Sequence, residues 1–271
     1  MHYNPRSIDI ARDIVEREAA SGALRAVAVE SCPTRWNATQ ESQPRGSLMR
    51  FLCDNEMQAG AEAGEDAGVA VVLADQTIED TGRRLAQLFA LTLVELCTPW
   101  NGGWSRIYDD LSQAVAQALQ GEDSLGADAF FEPQLALGFP VSLVRYPLSV
   151  FVKSPLIGSI VALVALGPWL FAINDYVTLT SGYDFIAGST YVPAADVTLQ
   201  ELAASASFAA VETVVFGRVL LVGLLEERNF VLARNIRKAL FNSKPGGSIV
   251  AVLGMAHCTG VAKLLRESRI V

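Results

Sequence analysis

Three apolar segments of this sequence, residues 23–30, 69–73 and 248–253, each lead to a side chain that can do chemistry. Those side chains are Glu30, Asp75 and His257. Carboxylate oxygen and imidazole nitrogen both bind divalent metal ions. Open α/β sheets place their ligands at the carboxyl ends of their strands. If the three segments are strands of one sheet, these residue types suit a metal site at that edge.

A second group of charged residues lies in residues 220–240, where apolar residues recur at helical spacing and predict a mostly buried helix. Its middle reads Glu226, Glu227, Arg228, Asn229. A buried charge without a partner costs several kcal/mol or becomes neutral. These side chains must therefore be hydrogen-bonded, paired or metal-bound.

Helices predicted between the strands complete an alternating pattern. The first begins at Asn4 and Pro5, a helix cap followed by proline at the first helical position. Further helices are predicted over residues 54–66, 78–97, 109–119 and 261–267, with a tight turn at 254–257 and a polar loop at 37–46. Such alternation favours a mainly parallel sheet flanked by helices. We expect one α/β domain over residues 1–271.

Composition and missing motifs exclude several classes of protein. A net charge of −8 and a pI near 4.9 do not favour nucleic-acid binding, which calls for a basic surface. The four cysteines are widely spaced, which predicts reduced thiols and an intracellular protein. No G-x-S-x-G, Walker A or G-x-G-x-x-G motif occurs. Serine hydrolases, P-loop NTPases and Rossmann oxidoreductases are therefore disfavoured.

Residues 154–174 contain no charged residue, and a helix of about 20 such residues can cross a bilayer. The alternative is a buried helix broken near Gly167 and Pro168. A single crossing would separate Glu30 from His257, so one shared site requires a hairpin, a re-entrant element or a helix lying flat. We expect a hydrophobic helical insertion over residues 141–225, with 204–225 or 137–152 as the return segment, and association with a membrane.

The segments LLEERN and VAVLGMAHCTGVAKLL resemble the closing half of the TraB family, whose relatives include PrgY, GumN and the TIKI proteases. That family has an E-R-N helix followed by a strand that ends in G-x-x-H-x-x-G. The matching residues here are Glu227, Arg228, Asn229, Gly254, His257 and Gly260.

The resemblance extends to the first 90 residues. The matches there are His2, Glu30, Cys32, Arg35, Glu56, Met57, Asp75, Gln76 and Arg84, while Ser31 and Ala74 depart from the family pattern. His2 corresponds to the histidine of the family's first G-T-x-H motif. The glycine and the strand that precede this histidine in the family are absent. The resemblance therefore implies a chain that begins just inside that motif.

The similar TIKI proteins are metal-dependent proteases, and a more distant relative is an erythromycin esterase. The resemblance thus implies metal-assisted hydrolysis of a peptide or of a small ester or amide. It implies His2, Glu30 and His257 as ligands of Mn, Co or Zn, with Glu30 also a possible base. Glu227 would be a further ligand or base.

The resemblance implies that Arg228 stabilises an oxyanion or orients a carboxylate, and that Asn229 holds a substrate or a loop carbonyl. Six further residues are expected to support the site: Arg35, Glu56, Asp75, Arg84, Gly254 and Gly260.

Structural interpretations stay open for several of these residues. His257 can be a hydrogen-bonded structural histidine, Glu30 can cap the next helix, and Glu227 can pair with Arg228. Cys258, beside His257, can be read as a nucleophile, although neighbours on a turn point apart. A non-enzymatic function is also open, because PrgY-like relatives are regarded as regulators that bind a peptide pheromone without turning it over.

Overall fold

The computed structural model describes residues 2–119, 133–156, 199–243 and 245–266, together with isolated residues between 159 and 188. The chain divides into two compact units. The first comprises Met1–Ser149 with Arg218–Val271, and the second comprises Val150–Gly217. The second unit lies within the predicted insertion at 141–225, and the grouping of all residues into one domain stays a prediction.

A three-stranded parallel sheet lies in the first unit. Its strands are β1 (Leu24–Val29), β2 (Ala70–Leu73) and β3 (Ser248–Val252), in the order β2-β1-β3. Val27 of the central strand lies opposite Val71 on one side and Val250 on the other. The predicted parallel sheet flanked by helices is therefore confirmed, in a chain that is mostly helical.

Helices account for most of the described residues. They are α1 (Pro5–Ala20), α2 (Pro33–Ser42), α3 (Leu48–Leu52), α4 (Glu56–Asp66), α5 (Ile78–Leu96), α6 (Gly103–Leu119), α7 (Pro133–Lys153), α8 (Leu199–Arg218), α9 (Glu227–Asn242) and α10 (Met255–Arg266). A 3-10 turn, Pro99–Asn101, joins α5 to α6. The side chain of Asn4 caps α1 by accepting a hydrogen bond from the Arg6 N–H, as the Asn-Pro start predicts.

The sheet is covered on both faces. Val27 and Val29 of β1 pack with residues of α1 and α4, whereas Ala28 packs with α9 and α10, because successive side chains of a strand alternate between faces. Glycines bring α4 close to the strands: a Cβ at Gly60 would lie 2.7 Å from Val252 Cγ2. Both faces of the central strand are therefore buried.

The predicted helix over residues 220–240 is not a continuous α-helix. Val219–Glu226 forms a π-helix, and α9 follows it directly. Three residues of the π-helix are buried: Val222, Gly223 and Glu226. Gly223 meets Leu85 so closely that a Cβ would lie 2.7 Å from Leu85 Cδ2. Wide helical turns of this kind occur frequently at functional sites.

Other predicted boundaries were wrong. The last helix begins at Met255 rather than at residue 261, and the His257 N–H already donates to Gly254 O at 2.8 Å. His257 thus lies in a first helical turn, and Gly260 lies inside the helix. Residues 37–42, predicted as loop, belong to α2, and α6 begins six residues before the predicted start at 109.

The hydrophobic middle region is described only in part, and most of residues 154–174 lie outside the described residues. The two segments considered as its return partner fall largely in α7 and in α8 with the π-helix. None of the helices within the described ranges is both long enough and apolar enough to cross a membrane.

Candidate functional site

The carboxyl ends of the three strands meet at one edge of the sheet. Glu30 directly follows β1, and its N–H donates to Val252 O of β3 at 3.2 Å. Asp75 follows β2, and its N–H donates to Ser31 O at 3.1 Å. Ligand sites of parallel α/β proteins form at this edge. The polar side chains that follow the strands are therefore neighbours.

Glu30 is the centre of this group and is only 9 % exposed. Its Oε1 accepts a hydrogen bond from Arg228 Nη2 at 2.8 Å, and its Oε2 accepts one from the Gly254 N–H at 2.6 Å. Burial by itself raises the pKa of a carboxyl, but His257, Arg228 and the Gly254 N–H outweigh it and lower the pKa of Glu30 to about 2. Glu30 is therefore ionised at neutral pH.

The alternative role of Glu30 as a helix cap is wrong. The capping position of α2 is Cys32, which makes no side-chain capping hydrogen bond. The oxygens of Glu30 are turned instead toward Arg228, Gly254 and His257.

His257 is buried and held at both ring nitrogens. Its Nδ1 lies 2.7 Å from Asn229 Oδ1, and its Nε2 lies 3.3 Å from Glu30 Oε1. Because an amide oxygen only accepts hydrogen bonds, Nδ1 carries a hydrogen in this arrangement. A protonated ring donates from Nε2 to Glu30 Oε1, whereas the neutral ring has on Nε2 the lone pair that a metal ion could bind. Asn229 thus orients His257 rather than a loop carbonyl.

His2 reaches the same edge from the start of the chain. Its Nδ1 lies 2.6 Å from Glu56 Oε1 at the first position of α4. Its Nε2 faces Gly254: a Cβ there would lie 2.9 Å from His2 Nε2 and 3.1 Å from Glu30 Oε2. Burial lowers the pKa of His2, but the hydrogen bond and charge of Glu56 outweigh it and raise that pKa.

Arg228 lies between two buried carboxylates. Besides Glu30, it donates to both oxygens of Asp75, from Nε to Oδ1 at 3.2 Å and from Nη2 to Oδ2. Arg35 Nη2 also donates to Asp75 Oδ2, at 2.5 Å. Guanidinium groups and carboxylates therefore alternate in one hydrogen-bonded chain, which runs from Arg35 through Asp75 and Arg228 to Glu30. Arg228 is already paired twice, so its role here is to hold carboxylates in place.

Glu227 is not part of this group. It forms a separate two-point ion pair with Arg84, in which Nε donates to Oε2 at 2.8 Å and Nη2 to Oε1 at 2.6 Å. Both side chains are partly exposed. The alternative in which Glu227 pairs with Arg228 is wrong, because adjacent residues on a helix project in different directions.

Tyr3 is a residue of this site that the sequence pattern does not reveal. Its backbone φ of 64° lies in the left-handed region that non-glycine residues rarely adopt. Its N–H donates to Glu56 Oε2 at 3.1 Å, and its hydroxyl lies 2.7 Å from Ser149 Oγ. Glu56 thus fixes two consecutive residues, His2 and Tyr3.

Cys258 has the wrong environment for a nucleophile. Its thiol faces two backbone carbonyls, Gly254 O at 3.6 Å and Leu253 O at 3.9 Å. Burial is the main cause that raises the pKa of this thiol. The four cysteines are all free.

Whether a divalent metal could bind here depends on the nitrogen and oxygen atoms that lie around Gly254. Both imidazoles have Nδ1 next to a side-chain oxygen and Nε2 directed toward the space that Glu30 also faces. The 3.3 Å between His257 Nε2 and Glu30 Oε1 equals the separation of about 3.3 Å between two ligand atoms of a tetrahedral site with bonds of about 2.0–2.1 Å. The residue types therefore suit a metal, and one pair of them lies at ligand spacing.

The ligands are nevertheless not gathered into a closed cage. Across the described ranges, no group of three or more His, Cys, Asp or Glu side chains is arranged to hold a metal ion. Of these side chains, that of His2 has the most room to change its position, since it is 37 % exposed while that of Glu30 is 5 % exposed. Binding would therefore require His2 to move toward Glu30 and His257.

Comparison of the chain with family models, with curated proteins and with solved protein structures gave no significant match. The resemblance to the TraB family rests on the motifs quoted above and stays a prediction.

Proposed function

We propose that this chain is a metal-dependent hydrolase of the peptidase or esterase type, with a fold similar to that of the TraB and TIKI proteins. One observation carries the proposal. His257 Nε2 lies 3.3 Å from Glu30 Oε1, and His2 Nε2 and Glu30 Oε2 both lie beside Gly254. His2, Glu30 and His257 are nevertheless far apart in sequence. Two imidazoles and an ionised carboxylate are ligand types of Mn, Co and Zn.

The residues around these ligands support the same interpretation. Histidines that bind metals usually have their other ring nitrogen held by a carboxylate or an amide or backbone oxygen, which fixes the tautomer and the ring orientation. Glu56 does this for His2, and Asn229 does it for His257.

The low pKa of Glu30 supports one of its two proposed roles. A general base works best when its pKa is near the working pH, whereas a pKa of about 2 makes Glu30 a weak base that stays ionised. We therefore propose Glu30 as a ligand rather than as the base. A divalent ion bound beside it would supply a Lewis acid and a water molecule of lowered pKa.

Arg228 acts through Glu30. Its guanidinium is shared between Glu30 and Asp75, so it holds the carboxylate in position and leaves little charge for a substrate oxyanion. The substrate class that this chemistry admits is a peptide, or a small ester or amide.

A metal-binding experiment tests the proposal. Purified protein is titrated with Co²⁺, and the visible d–d absorption is recorded for the wild type, for His257→Ala and for Cys258→Ser. Cys258→Ser is the matched control, because it alters the adjacent residue without removing an imidazole. We expect Co²⁺ binding in the wild type and in Cys258→Ser, with loss in His257→Ala, and metal-dependent cleavage of a fluorogenic peptide or ester library.

A non-catalytic, peptide-binding or partner-binding function is the second candidate. It is favoured by the engagement of both Glu30 oxygens, which accept hydrogen bonds from Arg228 and from the Gly254 N–H. Peptide binding without cleavage, and without any effect of Co²⁺, would support this candidate and overturn the hydrolase proposal.

Membrane association through residues 154–174 completes the proposal, on the strength of their uncharged composition. The wide spacing of the four cysteines supports an intracellular location. Extraction of membranes with carbonate tests the association. Full release of the protein into the soluble fraction, together with solubility without detergent, would contradict it.

A further inference from the structure

The second half of α5 has its polarity reversed. Beyond the buried Leu88, the side facing the interior carries Thr92, fully buried, and Glu95, 3 % exposed. The opposite side carries large apolar side chains, among them Phe89, Leu93 and Val94, which are 44 %, 41 % and 60 % exposed. A helix on the surface of a water-soluble domain normally buries its apolar side and exposes its polar side.

The buried charges of Glu95 and Arg218 are paired. Arg218, only 2 % exposed, donates to Glu95, to Thr92 Oγ1 at 3.3 Å and to Asp110 Oδ2 at 3.0 Å. The second oxygen of Glu95 accepts from Arg106 Nε at 2.5 Å. Because Glu95 and Arg218 have hydrogen-bonded partners of opposite charge, their burial beneath an apolar outer surface is compatible with a stable fold.

The apolar surface continues around the turn into α6. Trp100, Trp104 and Tyr108 are 77 %, 61 % and 71 % exposed. The indole N–H of Trp104 donates to Leu96 O at 3.1 Å, so this exposed ring needs no external hydrogen-bond acceptor. We call the set Phe89, Leu91, Leu93, Val94, Trp100 and Trp104 the α5–α6 apolar surface.

The α5–α6 apolar surface carries almost no charge, although the protein as a whole has a net charge of −8. Between Leu85 and Ile107 the only charged residues are Glu95 and Arg106. These two bond to each other, so their charges cancel. An electrically neutral surface on an acidic protein suits an uncharged partner.

We propose that the α5–α6 apolar surface docks side-on into the interfacial region of a bilayer of neutral, phosphatidylcholine-type lipid. Apolar side chains outside and paired charges inside are the arrangement of helices that face lipid. Tryptophan and tyrosine are enriched at the membrane–water boundary. A protein partner would normally meet a rim of polar groups that bind across the interface, and these side chains offer few. The inference goes beyond the proposed hydrolase function and does not depend on a metal.

Tryptophan fluorescence provides a local test. The chain has four tryptophans, and the variant Trp36→Phe/Trp169→Phe keeps only Trp100 and Trp104. On addition of palmitoyl-oleoyl phosphatidylcholine vesicles to this full-length variant, we expect a blue shift of the emission and quenching by brominated acyl chains. An unchanged spectrum overturns the proposal.

A charge placed in the surface provides the second test. We expect Leu93→Glu/Val94→Glu to weaken binding to the same vesicles, measured by the shift of Trp100 and Trp104, by about tenfold or more. Phe241→Glu is the matched control, because Phe241 is 82 % exposed on α9, and we expect it to bind as the parent does. Equal binding by both variants overturns the proposal. Light scattering without lipid tests the alternative occupant. A dimer that Leu93→Glu/Val94→Glu dissociates would also overturn the proposal, since a second copy of the chain would then cover this surface.

Discussion

At the scale of single residues, Glu30 joins the ends of the strands to the helices behind them. It directly follows β1, accepts from the backbone of Gly254 after β3, and accepts from Arg228 on α9. Hydrogen bonds to a charged group are worth about 1.5–3 kcal/mol each. A single carboxylate thus stabilises the contact between three separate segments.

Replacement of Glu30 by glutamine should lower the free energy of unfolding by about 3 kcal/mol, because a neutral amide satisfies Arg228 and the Gly254 N–H poorly. Arg228 keeps Asp75 as a partner, which places the effect at the low end for a broken buried ion pair. Urea denaturation followed by circular dichroism measures the change. Glu16→Gln, on the exposed side of α1, is the control and should change stability by less than about 0.5 kcal/mol. Equal stability of the two variants would contradict the contacts assigned to Glu30.

The same residue predicts a pH dependence. The pKa of Glu30 is lowered from 4.5 to about 2, so its contribution to stability is complete above pH 4.5 and is lost as the pH falls toward 2. The shift corresponds to about 3 kcal/mol. The difference in unfolding free energy between the wild type and Glu30→Gln should therefore be constant from pH 7 to pH 5 and shrink below pH 4.5. A difference that stays constant down to pH 2 would mean that Glu30 is not the group responsible.

The types of the site residues could be predicted from sequence, but their partners could not. His2, Glu30 and His257 stand out through motifs and strand ends. The pairing of His257 with Asn229 depends on how α9 and α10 pack, which no local pattern encodes. Glu227 and Arg228 are neighbours in sequence, yet the first bonds Arg84 and the second bonds Glu30 and Asp75. The direction of each side chain on the helix decides this.

At the scale of the elements, the last helix shows tertiary packing overriding a local signal. Gly260 predicts a helix start because glycine disfavours a helix interior by about 1 kcal/mol relative to alanine. The structure places it inside α10, where a Cβ would lie 2.2 Å from Asn229 Nδ2. The missing side chain allows α9 and α10 to approach closely enough for Asn229 to reach His257. The contact between helices outweighs the cost in helix propensity.

Two glycine substitutions separate these effects. Gly260→Ala should destabilise the protein by about 1–3 kcal/mol, because the new methyl group displaces the buried Asn229 side chain. Gly82→Ala lies in the interior of α5 with nothing within 4 Å of its Cβ position, and it should stabilise by about 0.5–1 kcal/mol. Thermal and urea unfolding measure both. Stabilisation by Gly260→Ala would show that the close contact with Asn229 is absent.

At the scale of the whole molecule, the strands were predictable and their order was not. Apolar composition and length place all three strands within one residue of the observed bounds. The order β2-β1-β3 brings β1 next to β3, more than 200 residues later in the sequence. That adjacency follows from the packing of α1 and α4 on one face and of α9 and α10 on the other. Hydrophobic periodicity describes a single segment and carries no information about its neighbour.

The division into two units gives the last prediction. His2, Glu30, Asn229 and His257 all belong to the unit formed by Met1–Ser149 and Arg218–Val271, and so do the residues of the three strands. Within the part of the chain that the structure describes, the sheet and the two hydrophobic clusters on its faces are made of residues of this unit. We expect a variant in which a flexible Gly/Ser linker of about 20 residues, with a root-mean-square span of about 25 Å, replaces Val150–Gly217 to unfold cooperatively in urea.

This variant should also keep the Co²⁺ affinity of the full chain, because every candidate ligand is retained. His257→Ala in the shortened chain is the control and should abolish Co²⁺ binding there as in the full chain. A shortened chain that unfolds without a cooperative transition would show that the first unit needs the second one to fold. A shortened chain that folds but binds no Co²⁺, while the full chain does, would place a missing ligand within Val150–Gly217. It would then refute the assignment of the metal to His2, Glu30 and His257 alone.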